Sequence, residues 1–144
     1  KQIQQYGSCP ESMCPWDMIY RNQTKQFDAE AAKRKGFEAY AAGTLQGFKT
    51  GLAMGFGGIV AVHVGNNFMQ FNSENVAGIA GGPGNHAEGC DNLEWDGTKW
   101  KYDIPGSWGT NVGQQGRYYH VDEHFRQTFP NHTFYLLRST EEKE

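Results

Sequence analysis

The stretch that decides the fold runs from Asn85 to Gly116 and carries two short motifs, Asn85-His86-Ala87 and, further along, Gly106-Ser107-Trp108-Gly109-Thr110. The first motif places a histidine just after the glycine-rich segment 78–84, where a new strand can begin. A histidine held at a fixed point of a rigid sheet can serve as a general base. We therefore interpret His86 as the candidate chemical centre of the chain.

The residues between the two motifs read as a β-hairpin. Trp100, Tyr102 and Ile104 alternate with polar residues, which is the period-two pattern of a half-buried strand. Asp96-Gly97 is a strong two-residue turn signal. We expect His86 to open a strand, the chain to turn at Asp96-Gly97, and the return strand to end in the second motif, beside the histidine.

The order of these motifs resembles the histidine half of the papain-like cysteine peptidases, in particular their bacterial and phage-type members. That family carries a His-Ala strand, a β-hairpin, an Asn-Ser-Trp-Gly-Thr segment, a Trp-Gly and a Gly-Tyr. Here the second motif is followed by Val112-Gly113 and Gly116-Arg117-Tyr118. Upstream, Cys9-Pro10-Glu11-Ser12 and Pro15-Trp16-Asp17 are similar to the run after the family's nucleophile helix, and Thr133 to Arg138 is similar to its closing strand.

The resemblance covers nearly the whole chain but only the second half of the family's domain. It implies an α+β fold of the papain-like type, with a small antiparallel barrel-like sheet, flanking helices and an incomplete nucleophile lobe. Residues 1–41 would be a remnant of the nucleophile-side lobe with one helix, and residues 42–144 the histidine-bearing lobe. The 19 glycines also favour a turn-rich α+β chain over a helical bundle.

Local signals predict the individual elements. Thr44 is a plausible N-cap for a helix that ends near Met54, with Gly55 as its stop. An alanine-rich segment with basic residues at its end predicts an earlier helix. That helix spans Phe27 to Lys35, and the predicted strands are Phe37 to Ala42, Gly58 to Val64, Arg117 to Val121 and Thr133 to Leu137.

The resemblance assigns roles to residues around the histidine. His86 would be the catalytic general base and acid, Asn85 would line the substrate cleft, and Trp108 would shield the histidine from water and contribute to substrate binding. The family's ring-orienting asparagine is replaced by Gly106, which has no side chain to accept from the ring. Ser107, Asp103 or a backbone carbonyl are the candidate substitutes, and Ser107 is the predicted catalytic one.

The nucleophilic cysteine is the larger departure from the family. Cys9 lies only 77 residues before His86 and is followed by Pro10, whereas the family's cysteine opens a long helix well over a hundred residues earlier. Cys14 fits no better, and Cys90 is expected to be a small buried apolar group. We therefore expect the nucleophile to come from upstream of residue 1, and the start at Lys1 rather than Met suggests a processed product or a fragment.

Other polar residues near the motifs have plainer interpretations. Glu88 shares a strand face with His86, so it is either exposed or paired with Lys99 or Lys101. His120, His124 and His132 lack regular ligand spacing, and solvated surface is the expectation for them.

Composition excludes several function classes. The net charge is −3, so nothing indicates a nucleic acid or an anionic membrane as partner. The longest apolar run, Leu52 to Val64, is broken by glycines and is too short to span a bilayer. The five-residue spacing of Cys9 and Cys14 is poor for zinc, and we predict no metal and no cofactor.

Two functions from different classes remain open at this point. The first is an active cysteine peptidase that acts on a peptide substrate, with His86 as base and an upstream nucleophile. The second is a catalytically inactive papain-like module with a structural or binding role in a larger assembly, such as a virus particle. In both, the missing nucleophile helix should expose apolar surface, so we expect the chain to pack against its own upstream segment or another protein chain.

Overall fold

The computed structural model of the protein describes residues 25–33, 37–131 and 133–139. The chain divides into two compact units, one made of Lys1–Glu38 with Ser139–Glu144 and the other of Ala39–Arg138. The first unit contains helix α1 (Lys25–Ala32), close to the predicted helix, and Lys33, just after the helix, forms an ion pair with Glu30 in its last turn. That residues 1–41 belong to a nucleophile-side lobe stays a prediction.

The elements that follow helix α1 alternate between short strands and helices. The bounds in chain order are β1 (Phe37–Ala42), α2 (Leu45–Ala53), β2 (Gly57–Val62), β3 (His86–Cys90), β4 (Asn92–Trp95), β5 (Trp100–Pro105), β6 (Arg117–Val121), α3 (Asp122–Phe125) and β7 (Phe134–Ser139). One sheet has the order β1-β7-β2-β3 and the other β4-β5-β6. The predicted α+β class is confirmed, and in the described part of the chain the two sheets do not close into a barrel.

Helix α2 forms where its caps predict it. The Thr44 side chain accepts from the backbone N–H of Gly47 at 2.9 Å, which satisfies one of the free donors of the first turn. The helix ends before Gly55, whose φ of 85° favours glycine. Gly58 on β2 lets this helix approach the sheet, because a Cβ there would lie 2.5 Å from Phe48.

The core of the larger unit is aromatic and lies where helix α2 meets the strands. Phe48 packs edge-on against Phe134 with ring centroids 5.4 Å apart, and Phe125 packs edge-on against both Tyr102 and Phe134. All four rings are fully buried. Edge-to-face pairs of this kind add roughly 1 kcal/mol beyond the area that they bury, so this cluster fixes α2 and α3 against both sheets.

The predicted hairpin is correct at its turn but not at its base. Asp96 caps the turn by accepting from Thr98 and from the backbone N–H of Lys99, and β4 pairs with β5 in antiparallel register. The strand that His86 opens, however, ends at Cys90 and pairs with β2 in the other sheet. The chain therefore changes sheets at Asp91, and only β4 and β5 form the hairpin.

No helix in the described ranges is long and apolar enough to cross a membrane.

Candidate active site

His86 stands at the start of strand β3, where it is partly exposed. Its side chain is 38% accessible, and its cross-strand partner on β2 is the buried Val62. Asn85, just before the strand, is tied to the end of β2, because its side chain accepts from Val64 N–H at 2.8 Å and donates to the Val64 carbonyl at 3.1 Å. These two bonds fix the point at which the histidine enters the sheet.

Trp108 lies beside the histidine, as the hairpin prediction expected. The His86 and Trp108 ring centroids are 6.0 Å apart, and Trp108 also packs on the buried ring of Phe68, at 5.4 Å. Phe68 comes from the long segment between β2 and β3. The second motif is thus held next to His86 by a buried aromatic contact, with Trp108 itself 37% exposed.

Glu88, two residues after His86 on β3, is a buried acidic residue close to the histidine ring. It is 8% exposed, and its carboxylate accepts from Tyr118 Oη at 2.5 Å and from His120 Nε2 at 2.6 Å. The same Oε1 that accepts from Tyr118 lies 3.8 Å from His86 Nε2. The predicted pairing with Lys99 or Lys101 is wrong, because those lysines contact Glu74 and Asp96 on the hairpin side of the molecule.

The pKa of the Glu88 carboxyl is lowered. Burial alone would raise its pKa, but the hydrogen bond and the charge of His120, followed by the Tyr118 hydrogen bond and the charge of His86, favour the ionised form more strongly. Glu88 is therefore a carboxylate. Tyr118 in turn stays a phenol, since burial and this carboxylate raise its pKa well above the ordinary value.

Two further histidines lie behind Glu88, and the expectation of solvated surface for them is wrong. His120 is fully buried and His124 is 5% exposed, with ring centroids 4.3 Å apart. His124 Nδ1 accepts from Val121 N–H, so its Nε2 carries the proton and donates to the Ala77 carbonyl. Burial and then the nearby His120 lower the pKa of His124 to about 3. His132 lies outside the described residues.

Gly106 stands where the family has its orienting asparagine, and the packing explains why no side chain is present. A Cβ at this position would lie 2.5 Å from Cε1 of Tyr118 and 3.0 Å from the Gly116 carbonyl oxygen. Gly106 N–H donates to that same carbonyl at 2.8 Å. The ring of Tyr118 thus occupies the space that a side chain at Gly106 would need.

The remaining predicted residues are placed as follows. Ser107 lines a surface depression with Thr110 and Gln115. Cys90 is buried as predicted, donates to the Asn92 carbonyl at 3.5 Å, and has a pKa raised by burial to about 12. Cys9 and Cys14 lie outside the described residues. The catalytic roles of His86 and Ser107 and the substrate contacts of Asn85 and Trp108 stay predictions.

Sequence reasoning missed Tyr118 and His120 as partners of the site. The signal was present, because residues two apart on a strand share a face, and Tyr118 and His120 are both buried on β6. Among the residues that the structure describes, no group of three or more His, Cys, Asp or Glu is placed to hold a metal ion.

Comparison with solved structures places this arrangement in a known fold. The chain is similar to xylellain, a cysteine protease from Xylella fastidiosa, with a TM-score of 0.72 and 19% identity over 97% of this chain and 60% of that one. It is similar to procathepsin L 3 of the Tenebrio molitor larval midgut (TM-score 0.67, 17% identity, 93% of this chain and 45% of that one). It is also similar to bromelain from Ananas comosus (TM-score 0.67, 18% identity, 97% and 66%).

The fold of the chain is papain-like, as the motifs predicted. At these identities the likeness establishes the fold alone. The chain spans between 45% and 66% of the length of the three structures. No family model and no curated protein sequence matches it.

Proposed function

We propose that this chain is the histidine-bearing part of a papain-like cysteine peptidase. His86 is its general base and acid, and its nucleophilic thiol comes from upstream of residue 1. The observation that carries this proposal is a partly exposed imidazole at a strand start, next to Trp108 and to a buried, ionised Glu88. An accessible base backed by a fixed carboxylate is the arrangement that proton transfer to and from a nucleophile requires.

The chemistry follows from the two protonation states of the ring. The neutral His86 ring takes the proton of the thiol, and the thiolate attacks the scissile carbonyl carbon of the peptide. The resulting imidazolium then gives its proton to the leaving amine, and water hydrolyses the thioester. Asn85 lines the cleft and Trp108 limits the access of water to the ring.

Cys90 is not the nucleophile in this proposal. Its thiol is 1% exposed and its pKa of about 12 leaves almost no thiolate at neutral pH. It also lies four residue pairs further along the β2–β3 ladder than His86. The reacting cysteine must be an exposed one from a segment outside the described residues.

The experiment is a peptide-cleavage assay on the complete protein, with and without a thiol-alkylating reagent. We expect thiol-dependent cleavage that falls by at least ~10³-fold in His86→Ala, the size of a lost general base. Cys90→Ser is the matched control, and it should keep both the activity and its sensitivity to alkylation. No cleavage by the folded complete protein, or full activity in His86→Ala, would overturn the proposal.

The second candidate is the inactive structural or binding module, and one observation favours it. Tyr118 fills the position that a ring-orienting side chain at Gly106 would occupy, so the family's usual orienting group is excluded by packing. In that case the complete protein binds its partner chain without cleaving peptides. The assay above separates the two candidates.

A further inference from the structure

Three features of the His86 surroundings belong to one packing arrangement. Tyr118 excludes any side chain at Gly106, and its hydroxyl donates to Glu88. Glu88 in turn reaches towards His86 from two residues along the same strand face. Tyr118 therefore prevents a side chain at Gly106 from contacting the imidazole and, at the same time, holds Glu88 in place near it.

The geometry points to Glu88 as the residue that positions the His86 ring, in place of any group from the loop at Gly106. This inference rests on the proposed peptidase function for its catalytic consequence. Glu88 is buried beside His86, so it is a positioning residue that acts through His86.

The distances support this role for the carboxylate. His86 Nε2 lies 3.8 Å from Glu88 Oε1, which is beyond a formed hydrogen bond but within ion-pair range. Bonds between catalytic groups are often long in unliganded structures and shorten when substrate binds. Among the described residues, only Glu88 has a carboxylate oxygen within ion-pair distance of the His86 ring.

The carboxylate is itself fixed, which a positioning group requires. Each of its oxygens accepts one bond from strand β6, from Tyr118 and from His120. Its cross-strand neighbour on β2 is the buried Val60, and that of His86 is Val62. Because the carboxylate is buried, it interacts more strongly with a ring N–H than a carboxylate in water would.

The direction of the contact has a chemical consequence. A carboxylate facing Nε2 favours the proton on Nε2 in the neutral ring, which leaves Nδ1 as the free base. A fixed acidic partner sets the tautomer in the same way in other hydrolases, and its replacement by an amide lowers the turnover number through the wrong tautomer. Nδ1 of His86 is therefore the nitrogen that receives the thiol proton.

The test replaces Glu88 by glutamine in the complete protein and measures two quantities. With ¹⁵N-labelled histidine, NMR should report mainly the Nε2–H tautomer of neutral His86 in the wild type and a raised Nδ1–H population in Glu88→Gln. The turnover number should fall about 10²-fold, the size expected for a misplaced catalytic group, while KM stays within about twofold. Glu94→Gln, an exposed glutamate on the hairpin, should change neither quantity.

A second variant guards against a folding defect in Glu88→Gln. Tyr118→Phe keeps the ring that packs on Gly106 and removes one bond to Glu88, so it should lower the turnover number by a few-fold with the same change of tautomer. An unchanged tautomer in both folded variants would overturn the role of Glu88, whether or not the protein is active. A wild type with the Nε2–H tautomer but no peptidase activity would overturn the proposed function and leave the contact standing.

Discussion

His86 and Glu88 are two residues apart on one face of strand β3, and their surroundings are opposite. The histidine side chain is 38% accessible and the glutamate side chain 5%. His86 contacts one aromatic ring at the surface, whereas Glu88 accepts two hydrogen bonds from buried residues of β6. The comparison teaches that one strand face can supply both an accessible base, His86, and a buried charge beside it, Glu88. Burying the Glu88 carboxylate costs desolvation energy, which the hydrogen bonds from Tyr118 and His120 offset.

The comparison predicts a large difference in stability between substitutions at the two positions. Glu88→Ala should lower the free energy of unfolding by about 3–5 kcal/mol, because it leaves the Tyr118 hydroxyl and His120 Nε2–H buried without an acceptor. His86→Ala should cost less than about 1 kcal/mol, because its ring is partly in water. Urea denaturation of both variants at neutral pH measures the difference. Equal losses at both positions would contradict the assignment of Glu88 as the anchored member of the pair.

Much of this fold follows from the sequence because its signals are local. The Thr44 cap, the Asp96-Gly97 turn and the bounds of β6 depend on a few neighbouring residues, and the structure has each of them where predicted. The partners of Glu88 could not be found in that way. The lysines suggested by the hairpin pattern belong to the β4–β5 hairpin of the other sheet, Lys101 on β5 and Lys99 in the turn before it, since the chain changes sheets at Asp91.

The burial of His120 and His124 was missed for a related reason. A histidine is polar in isolation, and only the packing of β6 against Phe68 and Phe125 shows that it lies in the core. The two-residue spacing of Tyr118 and His120 shows that they share one face of a strand. It does not show whether that face points into the core or towards solvent, and in the structure both residues are buried. In the sequence, Gly106 indicates only that the ring-orienting asparagine is missing. In the structure, the ring of Tyr118 occupies the space that a side chain at this position would need.

The burial of His124, which lies behind Glu88, predicts that the stability of the folded protein falls in acid. The pKa of His124 is about 3 in the folded protein against 6.5 for a free side chain, so the unfolded chain binds more protons below pH 6.5. Its contribution to stability is complete above that pH and is lost as the pH falls towards 3. By pH 5 this linkage should remove roughly 2 kcal/mol.

Denaturant titrations at pH 7 and pH 5 test this, and the non-titrating variant His124→Gln is the control. The variant should lose most of the difference between the two pH values that the wild type shows. Glu88, whose pKa is lowered from 4.5, keeps its full contribution to stability above that pH and loses it only as the pH falls below it, so it lies outside this window. A wild type that is equally stable at both pH values would contradict a neutral, buried His124.

The packing of Tyr118 predicts a smaller effect at Gly106. Gly106→Ala places a Cβ 2.5 Å from the Tyr118 ring and 3.0 Å from a backbone oxygen, so the variant should lose about 1–2 kcal/mol through overpacking. Gly89→Ala on β3 is the matched control, since its Cβ would meet only Pro105, at 4.0 Å. If Gly106→Ala is as stable as Gly89→Ala, the ring does not exclude a side chain there.

The smallest expected effect on stability comes from an exposed ion pair of Arg117, the first residue of β6, and it contrasts with the buried Glu88. Arg117 bonds Asp103 through Nε and Nη2 and also contacts Asp91 at 2.6 Å, and these bonds raise its pKa further above the ordinary value. Its side chain is nevertheless 43% accessible, so water and salt screen the charges. Arg117→Lys loses the two-point contact but keeps the charge, and should cost less than about 1 kcal/mol. That cost should shrink further in 1 M salt, because salt screens the exposed Arg117 charge. The cost of Glu88→Ala should not shrink, because the Glu88 carboxylate is buried away from the salt solution.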